Sequence, residues 1–249
     1  MRALISWELN RPLVMMTFFA GLVMGFISVH SAYLSPYSKV HVISATESVE
    51  SFSFSPVGNA FWHVLKSLPR AGFSVYSFLV ILLGTLVFRH DRDTGYALTV
   101  YALPYRKFKI FLSKLVSLLL LTVMMLYLPL FLSVFLSSAT VAGYVPLILD
   151  GAFFKTLLLI TLALVYVATL TAFLSTVLAG MFPTLIGSYL IVHLSTAIGG
   201  GRLPPFSLFI RATELNPTLS NSSVLLHGII LPLMFTLLGA IFSERRDVL

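Results

Sequence analysis

The sequence predicts an all-α, polytopic membrane protein with six transmembrane helices. Three observations carry this. Of the 249 residues, 58% are hydrophobic and only 10% are charged, too few charges to coat a soluble globule of this size. Mean hydropathy is +0.97. The chain also holds apolar runs near the length of about 20 residues that a helix needs to cross a bilayer. These features exclude a soluble enzyme and a disordered tail, and the absence of cysteine excludes a disulfide scaffold, a catalytic thiol and a Cys-ligated metal.

Each element follows from the chain in order. Met1–Arg11 precedes the first span, with Ile5 and Leu9 on one helical face and Arg2, Ser6 and Asn10 on another. Trp7 suits a water–lipid boundary and Arg11 supplies a cation there, so residues 1–12 read as an amphipathic interfacial helix that Pro12 ends. The predicted spans are Leu13–Leu34, Ala71–Phe88, Phe111–Ser138, Phe153–Leu178, Pro183–Ile198 and Val224–Phe242. Helices are expected because a spanning segment must satisfy its own backbone, and the runs do not alternate as barrel strands do. The first span is read as retained, because Val29-His30-Ser31-Ala32 is a poor cleavage site. Between the first two spans, Ser38–Ile43 and Val49–Phe54 are candidate short strands in an external cap.

Lys and Arg number 16 against 9 Asp and Glu, a net charge of +7. In a soluble chain this could point to nucleic acid; here topology explains it, and no nucleic-acid partner is expected. Arg2, Arg11, Arg89, Arg92, Arg106, Lys107, Lys109, Lys114, Arg245 and Arg246 fall on one side of the six-span layout. That side is therefore read as cytoplasmic, with both termini inside a cell (plasma) membrane.

The richest segment is Arg89–Lys114, RHDRDTGYALTVYALPYRKFKIFLSK. Asp91 or Asp93 could cap a helix start. Tyr96, Val100 and Leu103 share a face, and Pro104 disfavours helix at Leu103. Phe108, Phe111, Leu112 and Leu115 then form a second apolar face, with Arg106, Lys109 and Lys114 away from its centre. Two readings stand: a force-transmitting helix beneath the membrane within residues 89–110, or a basic anchor that only fixes orientation.

An acid shortly before a Gly, a helical stretch, Pro-x-Arg and then a Lys occur here as Asp93, Gly95, Pro104, Arg106 and Lys114. This pattern resembles the type-2 ATP-binding-cassette (ABC) transporter permeases. The resemblance covers most of the chain in layout and about 25 residues in motif. One departure is an Asp, at 91 or 93, where the family has Glu. The resemblance implies that this loop is a coupling helix docking on an ATPase subunit, with Arg92, Asp93, Arg106 and Lys107 steering and Tyr96 and Tyr101 filling the ATPase cleft. It further implies two ABC ATPase subunits, two permease copies as a homodimer or heterodimer, and ATP and Mg bound by the partner. This chain has no nucleotide-binding motif of its own, and no cofactor or enzymatic activity is expected of it.

Residues 199–223 contain Gly199-Gly200-Gly201, Pro204-Pro205 and an apolar Phe206–Ile210 too short to cross. This segment is either a re-entrant element in the outer leaflet, which the resemblance also implies, or a surface loop with one buried turn. Asn221-Ser222-Ser223 is an acceptor sequon by pattern. His193, with Ser188, Tyr189, Ser195 and Thr196 nearby, is the weak candidate for substrate binding; the competing reading is a helix–helix hydrogen bond. No metal ligand set, HExxH or Gly-x-Ser-x-Gly occurs. The expected function is the permease subunit of an ATP-driven exporter. The rivals are an ion-gradient-driven carrier, an intramembrane enzyme and a non-transporting anchor or assembly subunit.

Overall fold

A computed structural model describes residues 2–34, 68–95, 105–137, 151–198, 201–214 and 217–245. Among these residues there is no strand. The elements are α1 (Arg2–Leu9), α2 (Pro12–Leu34), α3 (Leu68–Asp93), α4 (Lys107–Ser137), α5 (Gly151–Val177), α6 (Met181–Ile198), α7 (Phe206–Ala212) and α8 (Ser222–Arg245). Six of them, α2 to α6 and α8, are long and apolar enough to cross a membrane, so the multi-pass membrane class holds. The candidate strands at 38–43 and 49–54 lie outside the described residues.

Several spans run past their predicted ends. α3 covers Leu68–Asp93 rather than 71–88, α4 begins at Lys107 rather than 111, and α8 covers Ser222–Arg245 rather than 224–242. At the C-terminal end of α3 the cause is that Arg89, Asp91 and Asp93 stay helical where the bundle supplies them with partners. α3 stops only at Gly95, whose φ of +79° is the left-handed conformation that ends a helix cheaply without a side chain. Its amide approaches the Arg92 carbonyl at 3.4 Å. Pro12 is the first residue of α2, where a missing N–H costs nothing.

α3 and α5 form the centre of the bundle, each with 67% of its apolar window buried. α2, α6 and α8 are peripheral, at 28%, 22% and 28%. Lipid tails are as apolar as leucine, so burial alone cannot hold such helices together; close packing must. Gly84 of α3 shows how. A Cβ there would lie 2.9 Å from Thr171 Cγ2 on α5 and 3.3 Å from Leu118 Cδ2 on α4. Leu83, Leu118, Ile160 and Val167 are among the fully buried side chains of the core that these helices share.

Two helices contain a single π-turn. In α3 it spans Gly72–Tyr76, and the Gly72 carbonyl accepts both the Ser77 amide and, at 3.1 Å, the Ser77 hydroxyl. In α8 it spans Leu226–Ile230, immediately before Pro232, which has no N–H to continue the regular ladder. Helix α7 sits beside both. It packs on α5 and on the α3 π-turn, and Ser207 Oγ lies 2.9 Å from His227 Nδ1 in the α8 π-turn. The apolar segment at 206–210 is thus a short helix with Leu208 and Phe209 buried against the bundle.

The close approach at Gly84 carries a prediction. Gly84→Val should lower stability by about 1–3 kcal/mol, the cost of overpacking a filled crossing. Thermal unfolding of the purified protein in detergent checks it; an unchanged Tm would contradict the packing described.

Candidate functional site: a buried ionic knot at one end of the bundle

Helices α1, α3 and α4 converge at one end of the bundle, and four charged side chains meet there. Asp91, in the last turn of α3, is 2% exposed. One of its carboxylate oxygens lies 2.6 Å from Arg11 Nη2 and the other 2.5 Å from Lys114 Nζ. Arg11 Nη1 is also 2.9 Å from Glu8 Oε2, and Lys114 Nζ is 3.4 Å from Glu8 Oε1. Lys114 donates a further hydrogen bond to the Val87 carbonyl at 2.9 Å. Two carboxylates and two cations therefore close a ring of four contacts with no net charge.

Burial makes this arrangement stringent. Taking any of these ions out of water costs several kcal/mol, and only full pairing offsets it. Each cation here touches two carboxylates, so every member has its partner when all four are present. Lys114 spends its ammonium on Asp91, Glu8 and Val87, which is why it is buried despite its charge.

A second pair lies alongside. Arg89 Nη2 is 3.2 Å from Asp93 Oδ1, and Arg89 Nη1 donates toward the Ser175 carbonyl of α5 at 3.5 Å. Asp93 Oδ2 accepts the Met181 amide at 2.6 Å, the first N–H of α6. An acid at a helix N-terminus satisfies an orphan donor and opposes the positive end of the dipole. Asp93 thus ties the end of α3 to the start of α6, across the turn in which Gly180 has a φ of +105°.

These positions correct several expectations. Asp91 and Asp93 lie in the last turn of α3, an unfavourable place for a carboxylate that their ion pairs compensate; the helix start that Asp93 caps is that of α6. The Arg11 side chain turns into the bundle, only 11% exposed and doubly paired. On α1 the buried positions are Leu4 and Glu8, while Ile5 and Leu9 are half-buried, because Glu8 turns toward Lys114. On α4, Phe111 and Leu115 are buried and Lys109 is exposed as predicted, as is Arg106 just before it, but Phe108 is exposed and Lys114 buried. A helical wheel treats charge as polar, and here charge is satisfied inside.

Trp7 is 42% exposed and lies under the Arg11 guanidinium, 5.4 Å from ring centroid to Cζ. Trp7, Arg11, Pro12, Leu13, His90 and Asp91 line a recess of about 340 Å³ at this end. Arg92 is half-buried and Gly95 exposed; Tyr105 and Arg106 are exposed at the start of α4, and Lys107 is half-buried in its first turn. The Arg106 carbonyl accepts the Lys109 and Ile110 amides at 2.9 and 3.3 Å. Tyr96, Tyr101 and Pro104 lie outside the described residues. The structure thus brings Trp7, Arg11, Arg92 and Asp93 to one end and sets His193 elsewhere.

His193 sits on α6, stacked on Tyr189 with centroids 4.0 Å apart and 5.0 Å from the Phe73 ring. Its Nδ1 is 3.1 Å from the Tyr189 carbonyl of its own helix. Among the described residues, no group of three or more His, Asp or Glu could hold a metal ion. Glu8 is the functional candidate that sequence reasoning missed. Its signal was present: with so few acids in the chain, one placed three residues before Arg11 invites a pairing.

Charge balance in the knot yields a prediction. Asp91→Ala should cost about 3–5 kcal/mol, because it leaves two buried cations facing one carboxylate. The double variant Asp91→Ala/Lys114→Met restores neutrality through the Glu8–Arg11 pair and should be more stable than the single one. Thermal unfolding of the four proteins of the cycle measures this; simple additivity would contradict a shared network. No protein-family model matches the chain, and no characterised protein matches its sequence.

Proposed function

We propose that this chain is the membrane-spanning permease subunit of an ATP-driven transporter of the type-2 ABC kind, working as an exporter. A separate ATPase, in two copies, supplies the energy by docking on the loop between α3 and α4, and two permease copies frame the pathway. On this reading the knotted end and both termini are cytoplasmic, in the plasma membrane, and α1 lies along the inner water–lipid boundary.

The observation that supports it is the knot itself. The loop that resembles a coupling helix leaves the bundle at Asp93 and returns at Lys107, and the Glu8–Arg11–Asp91–Lys114 ring sits directly at its roots. A push on the loop acts on α3 and α4 together, since separating them would strand buried charges. Arg11 carries the movement to α1 and α2, and Asp93 carries it to α6 through Met181. Arg92, Asp93, Arg106 and Lys107 lie where a docking partner would meet them, with Tyr96, Tyr101 and Pro104 in the loop between. ATP and Mg belong to the partner; this chain's residues bind it, stay rigid and pass the displacement to the spans. The two conformations must differ in their contacts with the ATPase for the cycle to do work.

The absence of cysteine makes the test clean. Arg106→Cys should react with a membrane-impermeant maleimide only from the cytoplasmic side, and labelling of intact cells would overturn the orientation. Co-expressed with a candidate ATPase carrying a Walker A motif, the wild-type chain should co-purify with it and raise its hydrolysis rate. Arg106→Glu should cut that stimulation by about tenfold or more, since an unfavourable charge contact at an interface costs at least the roughly 1.4 kcal/mol that a factor of ten represents. Transport that persists without the ATPase and follows an ion gradient would favour a secondary carrier. Co-purification without transport would favour an anchor.

A further inference from the structure

At the end of the bundle away from the knot, the first turns of α3 and helix α7 frame a recess of about 250 Å³. Pro69 and Phe73 form one wall, Phe206, Phe209 and Ile210 the other, and Arg70 stands at the rim. The lining is built, because Phe73 packs its ring 5.0 Å from Phe206 and 5.7 Å from Phe209. The α3 π-turn starts at Gly72, where a Cβ would lie 2.8 Å from Phe209 Cε1, so the Phe209 ring packs directly on the Gly72 backbone.

The recess is apolar within and cationic at its edge. Arg70 is exposed and makes no ion pair among the described residues. The described charges at this end are Arg70, Lys155, Arg202 and Arg211 against Glu214 alone. Apolar pockets with one convergent polar group bind amphiphiles and fix their orientation through that group. The volume suits part of one acyl chain, and the position at a span's end puts Arg70 at headgroup level.

We propose that this recess is a binding site for an acidic phospholipid, with an acyl chain between Phe73 and Phe209 and its phosphate on Arg70. A zwitterionic lipid would offer the same chain with no net charge for the basic end, so the site selects for acidic headgroups. The inference rests on membrane embedding and on this geometry. It is independent of the ATPase reading, and either can fail without the other.

The test uses the full chain in nanodiscs of phosphatidylcholine, with or without roughly one third phosphatidylglycerol. Ile210→Cys places the only thiol in the chain inside the recess, and Thr218→Cys, exposed at the same end but outside it, gives the reference rate. Relative to that reference, maleimide labelling of Ile210→Cys should slow about fivefold with phosphatidylglycerol, matching the worth of one basic residue against an acidic lipid. Adding Arg70→Gln, an exposed change that leaves the core intact, should erase the difference, and Arg70→Lys should keep it. Native mass spectrometry should show one phosphatidylglycerol fewer retained by Arg70→Gln. Equal labelling in the two lipids overturns the proposal. So does equally slow labelling in both, which would mean that the chain's own segment or any lipid covers the recess. A difference that survives Arg70→Gln overturns it as well.

Discussion

The structure depends on the pairing of Asp91 with Arg11 and Lys114. In a bundle surrounded by lipid, apolar contacts do not favour one helix neighbour over another, because the solvent is apolar too. A buried carboxylate held between two cations from two other elements does. It fixes which face of α3 meets α4, and where α1 lies along both. Glu8 closes the ring and leaves it neutral, so the knot specifies the register of three elements with no uncompensated charge.

From that end, order propagates by steric fit. Once α3 and α4 are in register, Gly84 lets α5 approach through Thr171, and α5 becomes the second central helix. Asp93 and Arg89 then bring in the turn between α5 and α6. α6 and α8 stay peripheral, with large side chains such as Phe182, Leu190, Leu233 and Leu237 facing outward. Such faces suit lipid or a second copy equally well in chemistry.

The two ends of the bundle are built on different physics. One is charged, buried and stitched by ion pairs, so it resists shear. The other combines two π-turns, a seven-residue helix and aromatic contacts. π-Turns weaken the regular ladder locally and recur at functional sites.

Sequence alone determined the class, the number of spans and the approximate place of each. Those follow from apolar run length against bilayer thickness, a comparison that needs no neighbour. That Gly95 ends α3 emerged only from the structure. Sequence also marked 206–210 as too short to cross, because length is a local property. It could not place Lys114, Glu8 or Asp91. A charged residue's position depends on whether a counter-ion from a distant part of the chain arrives beside it, and periodicity treats every charge as bound for water. Phe108 outside and Lys114 inside are the result. Only the tertiary structure decided that, since the 23-residue separation between Asp91 and Lys114 and the far longer one from Glu8 close only when the helices pack.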